Sequence, residues 1–153
     1  YRYAKLKDHA SRETCVNFYV SQVDAINNWD LVDLSCYKIL GHWLFDKDKQ
    51  LLYDWAKENH LWKQRIAMIS CMHFVKQGEF KDALAIADLL QHHPHDLIHK
   101  AVGWILREIG KEDEQLLIDY LTPRYKEMPR TMLRYAIERF EEGKRKAFLN
   151  SMI

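Results

Sequence analysis

Apolar residues recur along this chain at intervals of three and four, and no stretch sustains the strict alternation of a half-buried strand, so the pattern predicts helices throughout. Tyr1 to His9 reads as the end of one helix. Ser11 is placed to cap a second, which carries Cys15, Phe18, Tyr19, Val23 and Ile26 and is broken by Asn27-Asn28. Asn28 is a good N-cap for a third helix from about Trp29 to Phe45, apolar almost all round as a central helix would be. Asp46-Lys47-Asp48-Lys49 turns into a fourth helix carrying Leu51, Leu52 and Trp55. A fifth runs from about Leu61 to Lys76 and ends at Gln77-Gly78, and a sixth carries Phe80 to Leu90 and stops ahead of Pro94. The seventh spans about Asp96 to Ile109 and is closed by Gly110, and the eighth spans about Glu112 to Leu121. A ninth starts near Pro129, suited to a first helical turn, and a short last helix follows Gly143.

Taken in pairs from the third onward, the helices start about 30 to 35 residues apart, near the period of helical-hairpin repeats. The expectation is one all-α domain over residues 1–153, an α-solenoid of HEAT-like repeats with a concave surface for a large partner.

Composition agrees: 153 residues, 48% apolar and 29% charged, suit one domain with a continuous core, and five Gly and three Pro leave few turns. No apolar stretch has the length of a membrane span and Tyr1-Arg2-Tyr3 does not begin a signal peptide, which points to a cytoplasmic monomer. Cys15, Cys36 and Cys71 are odd in number and lie within helical pattern, so they read as reduced thiols. A net charge of +1 makes no global case for nucleic-acid binding, yet Thr122 to Lys146 holds eight cations against four glutamates. Such a run is either a solvated helix face or a surface for an anionic partner.

Three placements carry candidate chemistry. On the seventh helix Ile98, Ala101, Val102, Ile105, Leu106 and Ile109 form one apolar stripe, which leaves Trp104 among Lys100, Arg107 and Lys111 on the opposite side. A ring there either stacks on a base or sugar or packs on the next repeat. On the fifth helix Arg65 falls on the stripe of Leu61, Met68, Ile69 and Met72, and a guanidinium among apolar groups needs an anion. That anion is either a ligand phosphate or an internal carboxylate, for which Asp33 is the candidate. Asp33 itself lies one helical turn from Trp29, so a ring and a carboxylate share a face, able to stabilise a developing cation or simply to pack and to balance a helix end.

His92, His93, His95 and His99 cluster around Pro94, but their spacing is no zinc signature and a polar loop accounts for them. The chain has no Gly-rich phosphate loop, no HExxH and no GxSxG, which removes support for nucleotide hydrolysis, zinc proteolysis and α/β-hydrolase chemistry.

Three segments in order, Asn28-Trp29-Asp30-Leu31-Val32-Asp33, Leu61-Trp62-Lys63-Gln64-Arg65 and His99-Lys100-Ala101-Val102-Gly103-Trp104-Ile105-Leu106-Arg107-Glu108, resemble the DNA alkylation repair family of HEAT-like DNA glycosylases, the AlkD-like proteins. The resemblance covers nearly the whole chain. It implies an all-helical solenoid with a basic concave face for duplex DNA, which removes N3- and N7-alkylated purines without a metal or organic cofactor. Carried over by position, the catalytic aspartate falls on Asp33, the active-site tryptophans on Trp29 and Trp104, and the active-site arginine on Arg65. Lys100 and Arg107 match the basic positions beside the second tryptophan and, with Lys111, Arg130 and Arg134, are expected to meet the DNA backbone. The resemblance also implies a catalytically silent alternative, a solenoid that binds DNA or a protein partner through the same face. Two departures stand out: Asn28 occupies a position where many relatives have a further tryptophan, and the chain starts without Met, inside a helical pattern, where the family has further N-terminal helices.

Overall fold

Helix ends in this chain are set by side chains that satisfy the first free backbone N–H groups. In a computed structural model that describes residues 2–151, with the side chains of Trp29, Leu31 and Leu34 outside the description, Asp8 accepts the N–H of Ser11 at 2.8 Å and opens α2 (His9–Ser21) after the short α1 (Arg2–Lys5). Asn28 accepts from Asp30 at 2.8 Å and opens α3 (Trp29–Cys36), as its type predicts. A π turn (Tyr37–Gly41) and α4 (His42–Leu44) continue the same helix. There follow α5 (Gln50–Lys57), α6 (Leu61–Lys76), α7 (Lys81–Leu90), α8 (Asp96–Glu112), α9 (Glu114–Leu121), α10 (Arg130–Ala136) and α11 (Glu142–Leu149). Among the described residues there is no strand, and no helix is long and apolar enough to cross a membrane.

Several boundaries differ from those the pattern predicts. Asp8, not Ser11, caps α2, and α2 stops at Ser21, because the chain then winds into a tighter 3₁₀ turn (Val23–Ala25) that drives Val23 into the core. Gly110 does not end α8; the helix runs on to Glu112, and the missing side chain instead lets Leu117 of α9 lie against it. Asp113 then caps α9 by accepting from Leu116 at 3.1 Å. Gly143 lies inside the first turn of α11 because Glu141 accepts its N–H at 3.1 Å. At the end of α6 the expectation holds: Gly78 takes φ +82°, Gly78 N–H bonds Val75 O and Glu79 N–H bonds Phe74 O, a Schellman stop that only a residue tolerant of left-handed backbone closes cheaply.

The helix buried on every side is α6 and not the one that starts at Trp29: Gln64 to Met72 are buried without interruption, whereas Asp30, Lys38 and His42 of α3–α4 are exposed. α6 packs on α3 and its π turn, on α5, on α7 and on α8, and α8 in turn packs on α7, α9 and α10. The helix α3–α4, α6, α8 and α10 therefore form one row, with α5, α7 and α9 laid against it. Two glycines set the closest approaches within that row. A Cβ on Gly41, in the π turn, would overlap the Ser70 carbonyl of α6, and one on Gly103 would stand 2.5 Å from Tyr135 Cβ and 2.7 Å from the Met132 carbonyl of α10. The predicted stripe of α8 is fully buried from Ile98 to Ile109, each Ile or Leu contributing about 1.5–3 kcal/mol of apolar burial. The cysteines are free thiols, and burial pushes the Cys36 and Cys71 thiols up, which keeps them protonated and unreactive.

Candidate functional site

Arg65 sits in the second turn of α6, on the flank that meets α3 on one side and α8 on the other. Its Nε donates to Asp33 Oδ1 at 3.2 Å and its Nη2 to Asp33 Oδ2 at 3.0 Å, while Nη1 donates to the Leu97 carbonyl in the first turn of α8. The planar fork thus joins three successive helices of the row. The guanidinium side chain is 6% exposed and the carboxylate side chain 18%, so the arginine is buried while the carboxylate keeps some access to solvent. Desolvating both charges is costly, and the two parallel bonds with the third to a carbonyl are what offset it. Of the two partners the sequence leaves open for Arg65, the structure contains the internal one, Asp33.

Leu97 is the link to the second tryptophan. Leu97, Lys100, Trp104, Arg107 and Lys111 follow one face of α8, and Leu97 and Trp104 are about 10 Å apart along its axis. Trp104 is half-buried and packs against the core, so part of its side chain remains exposed. Trp29 opens α3, four residues before Asp33, and its side chain lies outside the described residues.

The predicted backbone contacts are largely engaged within the protein. Lys100 Nζ pairs with Asp96 at 3.1 Å, Lys111 with Glu108 at 3.1 Å, Arg107 Nη1 with Glu138 of the chain beyond α10, and Arg130 Nη1 donates to the Leu149 carbonyl at 2.9 Å. Arg107 Nε is buried and has no hydrogen-bond partner. Arg134 is exposed on α10. The Lys100–Asp96 pair is exposed on both sides, and such pairs are worth only about 0–1 kcal/mol.

One member of the histidine cluster, His95, starts a helix, and His93 supports it. His95 Nδ1 accepts the Leu97 N–H at 3.1 Å and caps α8, His93 Nδ1 accepts the His95 N–H at 3.0 Å, and His93 Nε2 reaches Gln64 Oε1 at 2.9 Å, beside Arg65. Burial, and then the neighbouring His95 and His99, hold His93 below the usual imidazole value, which suits a ring that accepts at one nitrogen and donates at the other. His60 caps α6 in the same way, accepting from Lys63 at 3.2 Å. Among the described residues no group of His, Cys, Asp or Glu is arranged to hold a metal ion. Sequence reasoning missed these caps because histidine lies outside the usual capping set. It missed the Leu97 contact because a main-chain carbonyl leaves no trace in residue type.

What the surface offers is a fixed carboxylate, a tryptophan face two turns along the adjacent helix, and cations beside it. Each Asp33 oxygen accepts one N–H from Arg65 and keeps a further lone-pair direction, enough to orient a water molecule or face a cation. The model of a family described as DNA alkylation repair enzyme matches residues 2–140 of the chain. No curated protein matches it.

Proposed function

The chain belongs to the DNA alkylation repair enzyme family, and from that premise we propose that it is a monofunctional DNA glycosylase hydrolysing the N-glycosidic bond of cationic N3- and N7-alkylated purines in duplex DNA. The observation that carries this reading is the forked Asp33–Arg65 pair, anchored on the Leu97 carbonyl of the helix that bears Trp104. The row of α3–α4, α6, α8 and α10 serves as the inner layer of a HEAT-like solenoid, along which the duplex lies.

The substrate explains why so spare a site suffices. An N7- or N3-alkylated purine is already a cation, so the bond to C1′ breaks with its electron pair returning to the base, which leaves neutral and needs no proton donor. Positive charge develops on the deoxyribose. Asp33 faces that charge and orients the water whose oxygen bonds to C1′, the proton leaving to Asp33 or solvent. Trp29 and Trp104 offer ring faces to the sugar cation. Arg65 acts as a positioning residue: its fork is taken by Asp33 and Leu97, so the adjacent phosphate falls instead to Lys100, Arg107, Lys111, Arg130 and Arg134. A purine need not enter a deep pocket, and lesions are then selected by the weakness of their glycosidic bond.

One observation favours a second reading, a catalytically silent scaffold that binds DNA: Arg65 offsets much of the Asp33 charge that a sugar cation would feel. The two are separated by measuring abasic-site formation on a duplex containing 7-methylguanine, alongside duplex affinity, for the parent chain and Asp33→Asn. Release by the parent that disappears in the variant with affinity retained is the glycosylase result. Affinity without release by the parent is the scaffold result.

A further inference from the structure

Several cations of α8 to α11 are paired with carboxylates, as Arg107 is with Glu138, Arg124 with Asp88 and Lys144 with Glu114. At the opposite end of the molecule positive groups are held by aromatic rings. Between the N-terminal segment and the C-terminal ends of α4 and α6 lies a cavity of about 430 Å³, into which Lys7, His9, Arg12, His42, Lys47 and His73 converge against a single carboxylate, Asp46. Lys47 Nζ lies 4.0 Å from the centre of the Trp43 ring, whose centre is 4.7 Å from that of His9, and the Arg12 guanidinium is 5.7 Å from the Tyr3 ring. Tyr3 OH bonds His42 Nδ1 at 2.8 Å, and the His73 ring stands edge-on to His42 at 5.1 Å.

The distinction is electrostatic. A carboxylate cancels the charge it binds, whereas an aromatic face attracts a cation through its quadrupole and leaves the net charge in place. Asp46 offsets Lys47, which it meets at 2.9 Å, and Asp8, outside the lining, lies within reach of the Arg12 charge, which leaves Lys7 and Arg12 as a net positive excess at the cavity. The hydrogen bond between the Tyr3 hydroxyl and Nδ1 holds the His42 ring at the cavity. Burial, then His42 and Lys76, hold His73 below the usual imidazole value, so it enters as a neutral ring. A concave site lined by one sign of charge concentrates the opposite sign. It lies well away from the Asp33 pair, since Arg65 and His73 are about 12 Å apart along α6.

We propose that this cavity is a phosphate-binding site, taking the oxyanion of a nucleic-acid strand or of a free phosphate ester. The site does not depend on base release, so the test does not either. The full chain, labelled at histidine, is titrated with inorganic phosphate and separately with a short undamaged DNA duplex, and the ring resonances of His42 and His73 are followed with His93 as reference. Saturable shifts at His42 and His73, with His93 unmoved in the phosphate titration, are expected, weakened about tenfold in Lys7→Gln and in Arg12→Gln. Lys7 is exposed, so its variant keeps the fold even if loss of the Arg12 bond to the Leu6 carbonyl loosens the second. In the duplex titration Lys7→Gln lowers the slope of log affinity against log salt by about 0.9. Shifts with both ligands support the site with a strand as source, and shifts with phosphate alone support it with a free ester. No response at His42 and His73 to either ligand, or responses of equal affinity in parent and Lys7→Gln, overturns it.

Discussion

Arg65 grips Asp33 with two parallel hydrogen bonds, 3.2 Å to Oδ1 and 3.0 Å to Oδ2, and a third donor fixes the same guanidinium to the Leu97 carbonyl. A carboxylate held at both oxygens has little freedom to rotate, which is what a group that must face a transient cation requires. The same grip makes the pair a structural unit, so its catalytic and stabilising roles have to be separated by experiment.

Asp33→Asn leaves a nearly buried guanidinium without its countercharge and is expected to cost about 2–3 kcal/mol in urea unfolding, below the full cost for a wholly buried pair because Asp33 is partly exposed. The double variant Asp33→Asn, Arg65→Met removes both charges and should recover most of that loss. Base release should not return. A double variant as unstable as the single one contradicts the coupling.

Trp104→Ala removes one ring face from the proposed sugar site. Loss of a cation–π contact of about 1–2 kcal/mol corresponds to roughly a five- to thirtyfold fall in single-turnover release from 7-methylguanine duplex. Duplex affinity, carried by the cations, should change far less. Equal losses in affinity and rate would make Trp104 a binding residue only.

Glu138→Gln frees Arg107 from its carboxylate partner. If Arg107 meets a phosphate, duplex binding tightens and the slope of log affinity against log salt steepens, because the cation is no longer neutralised beforehand. An unchanged salt dependence would remove Arg107 from the contact surface.

Gly103→Ala sets a Cβ against the Tyr135 Cβ and the Met132 carbonyl, parts of the chain that cannot swing aside, and is expected to destabilise by about 2–3 kcal/mol. Gly110→Ala meets only the mobile end of Leu117 at 2.5 Å, and replaces a glycine within a helix, so its cost should be much smaller. Thermal melts of the two variants decide it.

His93 gives stability a direction with pH. Its folded-state pKa lies below the ordinary imidazole value, so the unfolded chain binds the proton more tightly. The contribution is complete above about pH 6.5 and declines as pH falls through that value toward the lower folded one. Unfolding measured from pH 7.5 to 5 should show this limb in the parent and a shallower one in His93→Asn.

Periodicity alone determined the class of this fold, the span of α6, the buried stripe of α8 and the two residues that do not fit their stripes, Arg65 and Trp104, because a helix sorts its faces by neighbours within two turns. It also narrowed the partner of Arg65 to a carboxylate or a phosphate, since a buried guanidinium tolerates little else. Only the tertiary structure decided between them, and only it produced the Leu97 anchor, the π turn set by Gly41 against the Ser70 carbonyl, the Arg107–Glu138 pair and the cavity beneath Tyr3 and Trp43. Each of these depends on how far one helix slides and rotates against another. That register is fixed by the packing of whole surfaces, which no local spacing of residue types encodes.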